Sequence, residues 1–160
     1  MSTATSPATE TIGHELVITR TIDAPRSLVF NAWTDPRHMA QWWGPHGFTN
    51  PVCELDVRPG GAIRIVMRAP DGTDYPMTGV FHEIKEPERL VITTAVDDKD
   101  GNRILEVHTS VVFAETGGKT TLTLRTRVIK STAAAAGMLA GMKAGWTQSL
   151  ERLERYVAKA

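Results

Sequence analysis

The sequence predicts an α+β fold: a seven-stranded curved antiparallel sheet wrapped around a long C-terminal helix, with two short helices after the first strand. Three observations carry this prediction. Apolar and polar residues alternate over Glu15–Ile22 and again through most of 51–129, the pattern of strands with one buried face. The later strands are joined by only a few residues, which suits antiparallel neighbours, because parallel pairs need long crossovers. From about Ser131 to Lys159 the spacing becomes helical, with Leu139, Met142, Trp146, Leu150, Leu153 and Val157 on one stripe. Some 27 such residues would span about 40 Å, enough to cross a whole sheet.

Each element has its own signal. The first strand is ELVITRTI, rich in β-branched residues. Asp23-Ala24-Pro25 then opens a short helix, with Asp23 expected as its cap and Val29, Phe30 and Trp33 as its apolar face. Asp35-Pro36 starts a second, carrying Met39, Trp42 and Trp43, and Gly44-Pro45 stops it. Cys53, Leu55 and Val57 alternate with charged residues up to the turn Arg58-Pro59-Gly60-Gly61. Ile63, Ile65 and Met67 follow, then the turn Ala69-Pro70-Asp71-Gly72. Further strands are read at Tyr75–Ile84, Arg89–Val96, Arg103–Ala114 and Thr120–Ile129.

Composition narrows the class. The 160 residues suit one domain and would bury roughly two-thirds of the unfolded surface, enough for a core without staples. Residues 1–13, rich in Ser, Thr and Ala, read as a flexible tail, and 14–160 as one domain. The 18 Lys and Arg cancel the 18 Asp and Glu, so the basic field used by nucleic-acid binders is lacking. Cys53 is the sole cysteine, which excludes an internal disulfide and a cysteine zinc cage. No apolar run is long enough to span a membrane, and the first residues lack a signal peptide's basic and apolar regions. The expectation is a cytoplasmic protein with neither nucleic-acid binding nor membrane insertion.

Motifs for catalysis are mostly missing. Gly118-Lys119-Thr120 has Phe113 where a phosphate loop needs its first glycine. The loop Asp97–Gly101 has Val96 and Val107 at the first and last ligand positions of a calcium hand. His82-Glu83 meets Glu86 where a zinc helix needs a second histidine. No catalytic residue, metal or cofactor is therefore assigned.

The element order and a set of phrases resemble the helix-grip superfamily that includes the birch-pollen allergen, START lipid-transfer domains and polyketide cyclases (SRPBCC). The branch resembled is that of the activator of the heat-shock-protein-ninety ATPase (AHSA-type). The phrases are Asp23-Ala24-Pro25, Val29 to Pro36, Gln41-Trp42-Trp43-Gly44-Pro45, Asp56 to Gly61, Gly79 to Ile84, and Gly145-Trp146 with Leu150 and Leu153. Together they cover roughly residues 14–158. The resemblance implies a cavity between sheet and helix. It does not imply one activity, because this fold hosts binding, transfer, cyclisation and co-chaperone roles.

Candidate ligand-binding residues follow from inward parity on these elements: Trp33, Trp42, Trp43, Phe48, Leu55, Met67, Tyr75, Met77, Phe81, Met138, Met142 and Trp146. For each the alternative is plain core packing. Methionines adapt to varied apolar shapes, which favours a ligand slightly over a dry core. The leading reading is binding of a small hydrophobic or amphipathic molecule. A second is a cavity enzyme of polyketide cyclase or dehydratase type moving protons through His46 or Tyr75. A third is a chaperone-interacting module, lowered because the co-chaperones carry a further N-terminal domain and only a short tail precedes the first strand here. Gly137, Gly141 and Gly145 weaken the first half of the last helix, and that half is read as a loose gate, with close packing as the rival account. Glu106, His108, Arg125 and Arg127 share the outward face, either as a solvated salt-linked surface or as a pairing surface for a homodimer.

Overall fold

The structure, a computed structural model, describes residues 15–159; the tail expected over 1–13 lies outside the described residues. Strand β1 (Glu15–Ile22) leads into α1 (Arg26–Thr34) and α2 (Pro36–Trp42). Six strands follow: β2 (Thr49–Leu55), β3 (Ala62–Arg68), β4 (Asp74–Lys85), β5 (Arg89–Asp97), β6 (Arg103–Thr116) and β7 (Lys119–Ser131). They form one seven-stranded sheet in the order β1-β7-β6-β5-β4-β3-β2, with every neighbour antiparallel. Short turns thus build a meander from β2 to β7, and β1 closes its far side.

The two early helices start differently. Pro25, not Asp23, occupies the cap position of α1, and no side chain caps it. Asp35 does cap α2, accepting the Arg37 backbone N–H at 2.9 Å while its second oxygen meets the Arg37 guanidinium at 2.9 Å. The Arg37 hydrogen bond is the main reason the Asp35 carboxyl falls from 3.8 to about 2. A carboxylate depressed in the folded state adds stability above its unfolded value, and that stability is lost as pH falls towards the folded one. Arg37 lies in water, its side chain 86% exposed, so the discounted contribution is about 1 kcal/mol. Asp35→Asn keeps a good capping group and should therefore flatten the loss of stability between pH 4 and 2, as read by urea unfolding at each pH.

The C-terminal helix is in two pieces. Strand β7 runs on to Ser131, a single 3₁₀ turn covers Ala133–Ala135, α3 is only Ala136–Ala140, and α4 is Met142–Ala158. The helix expected to start near Ser131 is thus shorter and interrupted: α4 spans about 26 Å. The break falls at Gly141, whose φ of −92° and ψ of 0° stay right-handed and whose N–H still reaches the Gly137 carbonyl at 3.2 Å. Close packing does not explain the three glycines. A Cβ added at Gly137 would meet nothing within 4 Å, and at Gly141 and Gly145 its nearest neighbours would lie at 3.6 and 3.9 Å. The triple Gly→Ala variant should fold and gain up to about 1 kcal/mol per site; a lower urea midpoint would contradict this.

Apolar side chains on the helical side of the sheet form two clusters. The larger joins α1, α2 and α4 to the sheet through Phe30, Trp33, Trp42, Phe81, Phe113, Leu122, Leu124, Leu150 and Leu153. The smaller consists of Ile104, Leu105, Val107, Val128 and Ala135, with Met138, Leu139 and Met142 packed on it. The space between them is the cavity.

Candidate functional site: a cavity between sheet and helix

A cavity of about 420 Å³ lies between the sheet, the loop after α2 and the C-terminal helices. One wall is the loop after α2, through Trp43, Gly44, Pro45 and Phe48. The sheet supplies Met67, Tyr75, Met77, Thr94, Leu105, Val107 and Thr109, and the helices supply Met138, Met142, Trp146 and Ser149. Tyr75, 39% exposed, stands at the open side with exposed Gly137 and Gly141 opposite. Its ring lies 6.1 Å from that of Phe48. Aromatic and thioether groups dominate the lining, and among the described residues Tyr75 is the only titratable side chain in it.

The loop wall is held by α4. Arg152 Nη1 donates to the carbonyls of Trp43, Gly44 and Pro45 at 3.0, 2.9 and 2.9 Å, and Nη2 donates to that of Gln41 at 3.2 Å. Burial lowers the Arg152 pKa, so the carbonyl dipoles must offset the lost hydration of its charge. Gln148 Oε1 accepts the His46 backbone N–H at 3.1 Å, and the His46 Nε2 contacts Glu151 Oε1 at 2.9 Å. That contact is the largest cause holding the Glu151 carboxyl below its ordinary value. Gly44 turns the chain at φ +98°, and a Cβ there would press on Met67 Sδ at 3.2 Å. A side chain at this position would be strained twice over.

Of the twelve candidates, Trp43, Phe48, Met67, Tyr75, Met77, Met138, Met142 and Trp146 line this cavity. Trp33, Trp42 and Phe81 are fully buried in the larger cluster, and Leu55 packs against its edge. Trp33 stacks on Trp146 with centroids 6.0 Å apart, so it backs a lining residue without being one. Trp42 Nε1 is spent on the Ala32 carbonyl at 2.9 Å. His46 lies outside the lining, 40% exposed and engaged with Glu151. Cys53 is half-buried, and burial first, then Glu54, pushes its thiol up to about 11. On the outer face Glu106 and Arg125 pair with Arg103 and Glu15, while His108 stacks on His82 at 6.0 Å. Thr94, Thr109, Ser149 and Arg152 carry polar roles at the cavity that a search for apolar parity does not find.

No cluster of three or more His, Cys, Asp or Glu side chains suited to a metal occurs among the described residues. Nor, among them, is any helix long and apolar enough to cross a membrane.

A family model described as "Activator of Hsp90 ATPase homolog 1-like protein" matches residues 23–158. No curated protein matches the chain. Among solved structures, an Arthrobacter aurescens protein superposes with a TM-score of 0.80 at 22% identity, covering 98% of this chain and 91% of that one. A Chromobacterium violaceum protein does so at 0.76 and 26% identity, covering 89% and 96%. A Silicibacter pomeroyi protein titled AHSA1 gives 0.75 at 26% identity, covering 90% and 97%.

Proposed function

The chain belongs to the activator of Hsp90 ATPase homolog 1-like family, and on that premise we propose that it binds a small apolar or amphipathic molecule between the sheet and the C-terminal helix. One observation carries the reading: the apolar core is divided by a cavity of about 420 Å³ lined by Met67, Met77, Met138 and Met142 together with Trp43, Phe48, Tyr75 and Trp146. That size lies within the usual range for small-molecule sites, which are mostly apolar with a few placed polar groups. Flexible thioethers adapt to ligand shape, and the rings offer flat contact area. The cavity mouth is formed in part by the interrupted segment Ala133–Gly141, which on this reading opens to admit the ligand.

Native mass spectrometry of freshly purified protein, followed by solvent extraction, tests the proposal. A reproducible small-molecule adduct that is lost on denaturation supports it and names the chemical class to assay for turnover. A clean protein mass, together with no binding of the apolar probe ANS, would count against it and redirect attention to a chaperone partner. If the interrupted segment is the gate, the triple Gly→Ala variant should release ANS more slowly than the parent protein. Equal stopped-flow release rates would remove the gate from the proposal.

A further inference from the structure

Resting on this cavity reading, we infer that the ligand is neutral and carries a hydrogen-bond acceptor, such as a ketone, ester or quinone oxygen, that meets the hydroxyl of Thr109. The inward row of β6 is Leu105, Val107, Thr109, Val111 and Phe113, and that of β7 is Thr120, Leu122, Leu124, Thr126 and Val128, where Thr120 spends its proton on the Ala24 carbonyl at 2.7 Å. Thr109 and Thr126 thus each interrupt an apolar run from within. The two are register partners across the strands, and their Oγ1 atoms lie 3.0 Å apart. Thr109 is 1% exposed and Thr126 is fully buried.

Two hydroxyls bring two protons, and the bond between them uses one. Neither side chain makes another hydrogen bond among the described residues. Only Thr109 lines the cavity. If Thr109 donates to Thr126, the proton of Thr126 is left in a dry core with no partner. If Thr126 donates to Thr109, the free proton belongs to Thr109 and can point into the cavity. A ligand acceptor there completes the pair, and buried polar groups are nearly always satisfied in this way.

The other buried hydroxyl among the described lining residues offers no proton to a ligand. Ser149, 5% exposed, spends its proton on the Gly145 carbonyl at 2.9 Å, so towards the cavity it can only accept. Thr94 is half-buried. Among the described residues no Asp, Glu, Lys, Arg or His side chain belongs to the lining, so a carboxylate or ammonium buried there would lack a counter-charge from them. A pure hydrocarbon would leave the Thr109 proton unused.

The test is a matched pair of bicyclic probes, 2-acetylnaphthalene and its hydrocarbon isostere 2-isopropenylnaphthalene. Both are titrated by isothermal calorimetry into the parent protein, Thr109→Val, Thr109→Ser and Thr126→Val, each first checked for a dispersed amide NMR spectrum. The ketone should bind about 3- to 10-fold more tightly than the hydrocarbon to the parent. That preference should persist in Thr109→Ser and Thr126→Val, which keep a hydroxyl at the cavity, and vanish in Thr109→Val. Equal binding of both probes to the parent, or a preference surviving in Thr109→Val, overturns the inference while leaving the cavity reading intact. Failure of both probes to bind any form would overturn the cavity reading and the inference with it.

Discussion

Trp33→Ala is expected to destabilise the protein by about 3–5 kcal/mol, the range for deleting a large buried aromatic. The Trp33 ring has no solvent exposure. It lies between Trp42 at 4.8 Å, Trp43 at 6.1 Å, Trp146 at 6.0 Å and Phe113 at 6.3 Å, all centroid distances. Its removal would leave four rings without a common neighbour and put a void behind the wall of the cavity. The indole N–H of Trp33 has no hydrogen-bond partner among the described residues, so Trp33→Phe removes an unsatisfied donor along with some volume. That variant should lose less than about 1.5 kcal/mol. Trp42→Phe should cost more than Trp33→Phe, because it strands the Ala32 carbonyl that the Trp42 N–H reaches. Urea unfolding of the three variants checks the order; equal losses for the two Phe substitutions would contradict it.

Arg152→Ala is expected to cost about 2–4 kcal/mol, because a charged donor serving four carbonyls is lost at once. Those carbonyls belong to Gln41, Trp43, Gly44 and Pro45, at the end of α2 and the start of the loop wall. Three of them lie on the residues after α2, where no intrahelical donor can serve them. Arg152→Lys should recover only part of the loss, since an ammonium cannot reproduce the planar fork that spans these oxygens. The same variants should weaken binding of ANS, since Trp43, Gly44 and Pro45 form one wall of the cavity. Unfolding midpoints and probe titrations on the same samples measure both effects. Unaltered stability in Arg152→Ala would show that water replaces the guanidinium without loss.

Most of the architecture was legible because period two is hard to mistake. Ile63, Ile65 and Met67, or Leu122, Leu124 and Val128, announce a strand and its buried face together. The break at Gly141 was only half legible. Glycine spacing indicated weakness in that stretch, but where a helix parts depends on which turns find partners, and Met138 and Leu139 find theirs in the smaller cluster. The cavity shows the same limit. Parity distinguishes inside from outside, yet Trp42 and Phe81 share it with Met67 and Met77. Which of them meet empty space depends on how the helices and the loop after α2 sit against the sheet, a tertiary quantity. The Thr109–Thr126 pair had a signal that parity alone passes over: a hydroxyl flanked by apolar residues on the inward row of each of two consecutive strands. Pairing the strands in register would have brought them together. Arg152 left no comparable trace, because a charged residue beside Leu150 and Leu153 looks like any solvated helix position.

The division of the core into two clusters bears on how this molecule melts. Ala133–Gly141 is anchored mainly to the smaller cluster, which holds far fewer side chains than the larger one. Its amides should therefore exchange with solvent through local opening, at a lower free energy than those of β6 or α4, which open only with the whole fold. A molecule seated between the clusters would act as missing core and tie the two cooperative units together. Its stabilisation grows as the logarithm of free concentration over Kd, and the slowing of exchange would be felt first in the weaker unit. The protein would then report occupancy through the order of one short segment, with the sheet unchanged.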